Sequence, residues 1–352
     1  MRIAYLTSEY PKVSHTFILR EVEALRSLGE EVETISVRKP DAADFRGVEE
    51  KQALENTWYV LENARNPIRL LWAHLGLLLR RPAGYGRALR LAWRSRAPGA
   101  KALLYQLFYF AEAGLVAWHL QRRGLTHIHN HFAHSSCTVA MLASAMSGIP
   151  FSFTMHGPGE FFEIDRWAID EKIARAAFVA CISHFCRSQL MRISDPAHWD
   201  RLKIVHCGVG PALYDHAPGD AGKQILFVGR LSPEKGAGLL IEAFGALARS
   251  HPEARLTLVG DGPERDRLQQ LAAQSGLGDA VEFTGYLSQP EVAARLAGAD
   301  VFVLPSFAEG LPVVLMEALA SRTPVVTTRI AGVAELVEDG VSGRLVHAGD
   351  VA

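Results

Sequence analysis

The stretch Val301-Phe302-Val303-Leu304-Pro305-Ser306-Phe307-Ala308-Glu309-Gly310-Leu311-Pro312-Val313-Val314-Leu315-Met316-Glu317 decides the fold. Its first four residues are all apolar, too short and too uniform a run for a half-exposed strand, and Pro312 then marks the first position of an apolar helix. A buried strand that passes through one loop into a helix is the unit of a parallel sheet covered on both faces. The unit recurs along the whole chain. Strands are expected over residues 3–7, 31–37, 127–129, 151–155, 178–182, 203–205, 224–228, 255–259, 281–284, 301–304 and 324–327, with helical patterns such as 16–28, 238–249 and 263–274 between them. The expected class is therefore α/β.

A chain of 352 residues exceeds what one hydrophobic core usually organises, so two domains are expected. Gly and Pro gather between Cys207 and Lys223, which makes that segment the linker and divides the chain into 1–214 and 215–352. Cys137, Cys181, Cys186 and Cys207 form no CxxC pair and read as free thiols. The N-terminus enters a strand-like run without a signal-peptide pattern, so a cytoplasmic protein is expected. Residues 102–121 are apolar enough to invite a membrane-spanning reading. Glu112 near their middle would cost about 2.5–3.5 kcal/mol, which favours a helix packed on the protein.

Thirty-seven Lys and Arg against 38 Asp and Glu give a net charge of −1, which removes a global polycation argument for nucleic acid. The balance is local rather than uniform. Residues 61–125 hold eleven basic side chains and two acidic ones, interleaved with Trp72, Leu75, Leu78, Leu79, Leu89, Trp93, Leu104 and Phe108 at roughly helical spacing. Such an insertion either lies in the headgroup layer of an anionic membrane or packs its apolar face as core with a solvated basic face.

Open parallel sheets bind ligands beyond the carboxyl ends of their strands, so the chemistry is expected in the loops that follow. After 224–228 comes Gly229-Arg230-Leu231-Ser232-Pro233-Glu234-Lys235-Gly236, whose Arg230 and Lys235 can clamp a diphosphate. The loop lacks P-loop spacing, and two surface cations would read the same if it stood alone. The amides around Gly310 to Val313, with Leu311 and Pro312 between, open a helix and suit a phosphate. Glu317 can accept from a ribose diol and Glu309 from the hydroxyls of a sugar beyond. Gly260, in Gly260-Asp261-Gly262-Pro263, either admits a ligand closely or serves a tight turn. Tyr286 falls where a nucleobase would lie. In the first half, strand 151–155 ends at His156, placed to contact a substrate hydroxyl or phosphate. His127, His129 and His131 share one face, but no cysteine or carboxylate stands at ligand spacing, so no metal is expected.

Together these motifs resemble the retaining GT-B glycosyltransferases of family 4. The resemblance rests on Gly229-Arg230 with Lys235-Gly236, Glu309 and Glu317 with seven residues between them, Gly260-Asp261-Gly262-Pro263 and His156-Gly157. Tyr10-Pro11-Lys12-Val13-Ser14-His15-Thr16-Phe17 and His129-Asn130-His131-Phe132 are similar to the subgroup that builds colanic acid and related exopolysaccharides. The resemblance implies two Rossmann-like parallel-sheet domains facing across a cleft, the first for the acceptor, the second for the nucleotide-sugar donor. It implies that Arg230 and Lys235 hold the donor diphosphate, Glu317 the ribose and Glu309 the transferred sugar, with His156 touching that sugar and Ser14, His15 and Thr16 as the acceptor loop. His15 replaces the subgroup's usual Glu, and Gly210 its usual Asp before the linker. The implied reaction moves a hexosyl unit from a nucleoside diphosphate sugar to a polyprenyl-diphosphate-linked glycan, without cofactor or metal, on a protein peripheral to the inner face of the cell membrane. The competing readings are a non-catalytic nucleotide-sugar-binding subunit and a nucleotide-sugar epimerase. A nicotinamide dehydrogenase is weaker, since no strand leads into GxGxxG. Chains of the family continue into helices beyond the second sheet, so a further C-terminal strap is expected past Ala352.

Overall fold

The structure, a computed structural model, describes residues 1–12, 15–41, 47–215 and 223–351. The chain divides into two compact units, Met1–His206 and Cys207–Ala352. The boundary precedes the expected 214/215 because Tyr214, only 1% exposed, packs into the core of the second unit together with Val209 and Leu213.

The first unit is built on seven strands: β1 (Arg2–Glu9), β2 (Glu31–Arg38), β3 (Trp58–Tyr59), β4 (His127–His131), β5 (Phe151–Met155), β6 (Val179–Cys181) and β7 (Leu202–Ile204). All neighbours pair in parallel, in the order β3-β2-β1-β4-β5-β6-β7. The second unit has six, β8 (Gln224–Val228), β9 (Arg255–Val259), β10 (Val281–Gly285), β11 (Val301–Leu304), β12 (Val325–Thr328) and β13 (Arg344–Val346), in the order β10-β9-β8-β11-β12-β13 and again parallel. Strand order reverses between β1 and β4 and between β8 and β11. Those two switch points are where an open α/β sheet leaves a crevice at its carboxyl edge.

Helices Thr16–Ser27 and Ala237–Ser250 lie between successive strands and bury one apolar stripe each, while Ser135–Ser147, between β4 and β5, is buried on almost every side. Pro312 proves to be the N-cap of helix Val313–Ala320 rather than its first residue. Two strands absent from the sequence reading, β3 and β13, are short edge strands that carry almost no periodicity of their own.

The basic insertion folds into helices Pro67–Arg80, Pro82–Arg94 and Ala100–Arg123. Asn66 starts the first of these, its side-chain oxygen accepting from the amides of Ile68 and Arg69 at 3.1 Å, with Pro67 behind it. The three helices are tied by His74, which meets the Tyr85 hydroxyl at 3.0 Å and the Ala111 carbonyl at 3.1 Å. Gly114 leaves the space that ring occupies, for a Cβ there would stand 2.2 Å from it. What packs inward is mostly small: Ala73, Gly84, Ala88, Ala92, Ala113 and Ala117, with Leu77, Leu91 and Leu115. Helix Ala100–Arg123 packs on the protein as expected, and burial raises the Glu112 carboxyl to about 7. No helix among the described residues is long and apolar enough to cross a membrane.

Candidate active site

Arg230 and Lys235 stand in the loop after β8, and Glu309 in the loop after β11, on either side of the second sheet's switch point. The two loops are joined through their backbones. Gly236 has φ +67, and a Cβ on it would lie 2.2 Å from the Pro305 carbonyl oxygen; the Phe307 amide donates to the Glu234 carbonyl at 2.8 Å. This close approach delivers Lys235 to Glu309, Nζ to Oε1 at 2.6 Å, while the Ser306 hydroxyl donates to the same oxygen at 2.6 Å. Glu309 and Ser306 are buried. An ammonium has three donors, and among the described residues Glu309 is the only partner of this one. Arg230 is exposed; its carbonyl accepts from the Ser232 amide at 2.9 Å, and its guanidinium makes no hydrogen bond or ion pair among the described residues.

Gly310 and Leu311 lead into helix Val313–Ala320, and the Gly310 carbonyl accepts from the Gly332 amide at 3.1 Å. Glu317 lies in that helix, 8% exposed. The alternatives left open at Gly260 are decided by the fold. With φ +130, its missing Cβ would meet the Gly229 carbonyl oxygen at 2.0 Å, and that of Gly262 the Leu231 oxygen at 2.3 Å, so these glycines let the loops after β8 and β9 touch. Tyr286, just beyond β10, is 45% exposed.

The first unit brings His131 and His156 together at the carboxyl edge of β4 and β5, with His129 two residues earlier in β4. His129 shares hydrogen bonds through both ring nitrogens, with Ser152 Oγ at 2.8 Å and Thr154 Oγ1 at 2.9 Å. Fully buried His131 joins its Nδ1 to Nε2 of His156 at 2.9 Å. Burial holds the imidazoles neutral, lowering His129 and His156 to about 3 and His15 to about 4. Burial, and after it the neighbouring histidines, push His131 the same way. Phe17 and Phe132 lie against His156, with ring centroids 4.7 and 4.6 Å away. His15 is the N-cap of helix Thr16–Ser27, its ring 4.7 Å from Phe132. Thr16 opens that helix, and Ser14 lies outside the described residues. Asn130 explains part of its motif. Its amide donates to the carbonyls of His131 at 3.0 Å and Phe132 at 2.5 Å, steadying the left-handed φ of +69° at Phe132.

Three residues of this unit were not legible in sequence. Glu160 is 2% exposed and accepts the backbone amides of Ala133, of His156 at 2.7 Å and of Gly157 at 3.1 Å, so one carboxylate clamps the loop after β4 to the loop that carries His156. Buried Lys172 completes the clamp by donating to the carbonyls of Ala133 at 2.6 Å and His134 at 3.1 Å. Glu21, held by the Tyr5 hydroxyl at 2.6 Å, brings a carboxylate within 4.8 Å of ligand atoms on His129 and His131. Linear spacing hid that carboxylate because it arrives from a helix more than a hundred positions away. Both His129 nitrogens have hydroxyl partners.

The sequence model described as Glycosyltransferase Family 4 matches residues 14–213, and that described as Glycosyl transferases group 1 matches residues 215–352. The chain is 29% identical, over an alignment of 380 residues, to the putative colanic acid biosynthesis glycosyltransferase WcaL of Salmonella typhimurium, covering 99% of this chain and 88% of the relative. It is 27% identical over 371 residues to the amylovoran biosynthesis glycosyltransferase AmsK of Erwinia amylovora, with the same coverage of 99% and 88%. Among solved structures it is similar to Anabaena Alr3699/HepE in complex with UDP, with a TM-score of 0.72 at 20% identity, covering 100% of this chain and 87% of the other. It is also similar to sucrose-phosphate synthase from Thermosynechococcus elongatus, with a TM-score of 0.74 at 20% identity and coverage of 100% and 87%. With two parallel switch-point sheets, a Lys235–Glu309 pair at the second of them, and a family match across most of its length, this chain belongs to glycosyltransferase family 4 and has the GT-B fold.

Proposed function

We propose that the protein transfers a hexosyl unit from a nucleoside diphosphate sugar, with retention at the anomeric carbon, to a hydroxyl of a polyprenyl-diphosphate-linked glycan in exopolysaccharide assembly. The observation that carries this reading is the Lys235, Glu309 and Ser306 cluster at the β8/β11 switch point, with Arg230 in the same loop as Lys235 and helix Val313–Ala320 following Glu309. The uridine diphosphate in the Anabaena complex supports a nucleotide as the bound group, and the WcaL and AmsK descriptions support the pathway class.

In this reading the bond from the anomeric carbon to the diphosphate oxygen breaks, and negative charge grows on the leaving phosphate. Arg230, the remaining donors of Lys235 and the helix-start amides stabilise it, so no divalent metal is invoked. The acceptor oxygen bonds to the anomeric carbon from the same face, and its proton passes to the departing phosphate oxygen. Glu309, oriented by Ser306 and Lys235, accepts from the sugar hydroxyls in this reading. His156 is neutral and so offers a donor or an acceptor to the sugar rather than a charge.

Peripheral attachment to the cytoplasmic face of the membrane belongs to the same proposal. Leu71, Trp72, Leu79 and Trp93 are each 60% or more exposed in a region with a large basic excess, which supports contact with a bilayer where a lipid-linked acceptor would lie. Turnover of Arg230→Ala, measured with the donor that a nucleotide-sugar thermal-shift screen identifies, is expected to fall by about 10²–10³. Unchanged turnover would remove Arg230 from the reaction.

A further inference from the structure

His131 stands between two unlike neighbours. Its Nδ1 is 2.9 Å from Nε2 of His156, and its Nε2 faces Oε2 of Glu21 at 3.8 Å. The ring is fully buried, and among the described residues that Nε2 has no hydrogen-bond partner. Glu21 comes from helix Thr16–Ser27, His131 ends β4 and His156 follows β5, so only the fold strings the three together.

Glu21 is held for this position. Its Oε1 accepts from the Tyr5 hydroxyl at 2.6 Å, and the Tyr5 ring lies beside both imidazoles, its centroid 5.1 Å from that of His129 and 5.4 Å from that of His131. His129 engages both its nitrogens with Ser152 and Thr154, which leaves Nε2 of His131 as the open ring nitrogen near the carboxylate. Burial raises the Glu21 carboxyl above its ordinary 4.5, the Tyr5 hydrogen bond opposes that rise, and water still reaches 42% of the side chain and favours the ionised form. An ionised carboxylate only accepts.

The proton positions follow in order. His131 and His156 are both neutral, and a neutral imidazole has one N–H and one lone-pair nitrogen, assigned by what each nitrogen faces. At 3.8 Å, beyond hydrogen-bond length, a negative oxygen facing Nε2 of His131 still favours an N–H there over a lone pair. Nδ1 of His131 then carries the lone pair and accepts from Nε2–H of His156 at 2.9 Å. The lone pair of His156 is left at its Nδ1. His156 is partly exposed, and among the described residues this Nδ1 has no hydrogen-bond partner.

We propose that Glu21 and His131 are positioning residues which, through this chain of nitrogens, fix His156 as a hydrogen-bond acceptor at Nδ1 for a hydroxyl of the bound sugar. The identity of that ligand rests on the glycosyl-transfer reading given above; the tautomer does not. An acceptor set before the sugar arrives needs no reorganisation when the hydroxyl binds. It also narrows what His156 can do, since a lone pair at Nδ1 neither donates to a phosphate oxygen nor protonates a leaving group.

The test is side-chain ¹⁵N NMR of the full chain labelled at its histidine nitrogens, at neutral pH, with the His156 signals assigned by their loss in His156→Gln. Protonated and lone-pair ring nitrogens resonate far apart, and wild type is expected to show His156 protonated at Nε2 and not at Nδ1. Glu21→Gln keeps the shape and removes the charge. Its His156 signals are expected to shift toward the opposite tautomer, and kcat/KM for the donor to fall about five- to tenfold, the worth of one hydrogen bond. Glu21→Asp keeps the charge and is expected to keep the wild-type tautomer, and an unshifted thermal transition shows each variant to be folded. Protonation of Nδ1 in wild type, or His156 signals that do not move in Glu21→Gln, overturns the proposal, and so does a shifted tautomer with unchanged kcat/KM. If wild type shows the expected tautomer but transfers sugar from no nucleoside diphosphate sugar, the glycosyl-transfer reading fails while the control of His156 by Glu21 and His131 stands.

Discussion

Both ring nitrogens of His129 are engaged by hydroxyls in a fully buried site, and this has a consequence for pH dependence. Its pKa falls from 6.5 to about 3 on folding, so below pH 6.5 the unfolded chain takes up a proton that the folded chain refuses. The stability it contributes is complete above 6.5 and is lost as the pH falls toward about 3. Glu160 and Glu112 act in the opposite sense, since burial raises both to about 7 and disfavours the native state as the pH rises from 4.5. Comparing wild type with His129→Gln cancels those carboxylates. The unfolding free energy of wild type, from urea titrations, is expected to drop more steeply between pH 7 and 5, by up to about 1.4 kcal/mol per pH unit more than that of the variant. Parallel pH profiles would count against a buried neutral imidazole. Glu160 shows what sequence conceals at this scale: it reads as one more glutamate after a glycine-rich turn, and only the fold reveals three backbone amides converging on it.

At the scale of elements, the decisive feature is how loops from different strands approach one another. Lys235 reaches Glu309 only because Gly236 lets its loop lie against Pro305. Gly236→Ala therefore forces an L-residue into a left-handed conformation, at a cost of about 1–2 kcal/mol, and also drives a methyl into the Pro305 carbonyl. The variant is expected to unfold earlier in the second unit and to bind nucleotide more weakly. Gly276 is the control, with φ +70 and nothing within 4 Å of its absent Cβ. Gly276→Ala is expected to lose stability alone and keep nucleotide affinity, as read by titration calorimetry. The helical insertion makes a parallel point. Its amphipathic pattern was visible, but which side is core was not: small residues pack inward while Trp72, Leu79 and Trp93 stay exposed.

In the whole molecule, two units have separate cores, and the tryptophans report on one of them alone. Trp58, Trp72, Trp93, Trp118, Trp167 and Trp199 all precede residue 207. A nucleoside diphosphate at 100 times its dissociation constant is expected to stabilise the second unit by about 2.7 kcal/mol. The thermal transition followed by circular dichroism should then move up further than the one followed by tryptophan fluorescence. Equal shifts would place the nucleotide's contacts on both units. The α/β class, the strand-to-helix rhythm, the four free cysteines and the loops bearing Arg230, Lys235, Glu309 and His156 were all readable from sequence, because buried parallel strands announce themselves as short apolar runs and ligands gather where those runs end. The edge strands β3 and β13, the unit boundary ahead of Tyr214, the Lys235–Glu309 pairing, the Glu160 clamp and the arrival of Glu21 beside His129 and His131 came only from the tertiary structure. Periodicity records which face of a segment is buried, and nothing in it states which distant residue will complete a hydrogen bond; that is settled when the loops close on one another.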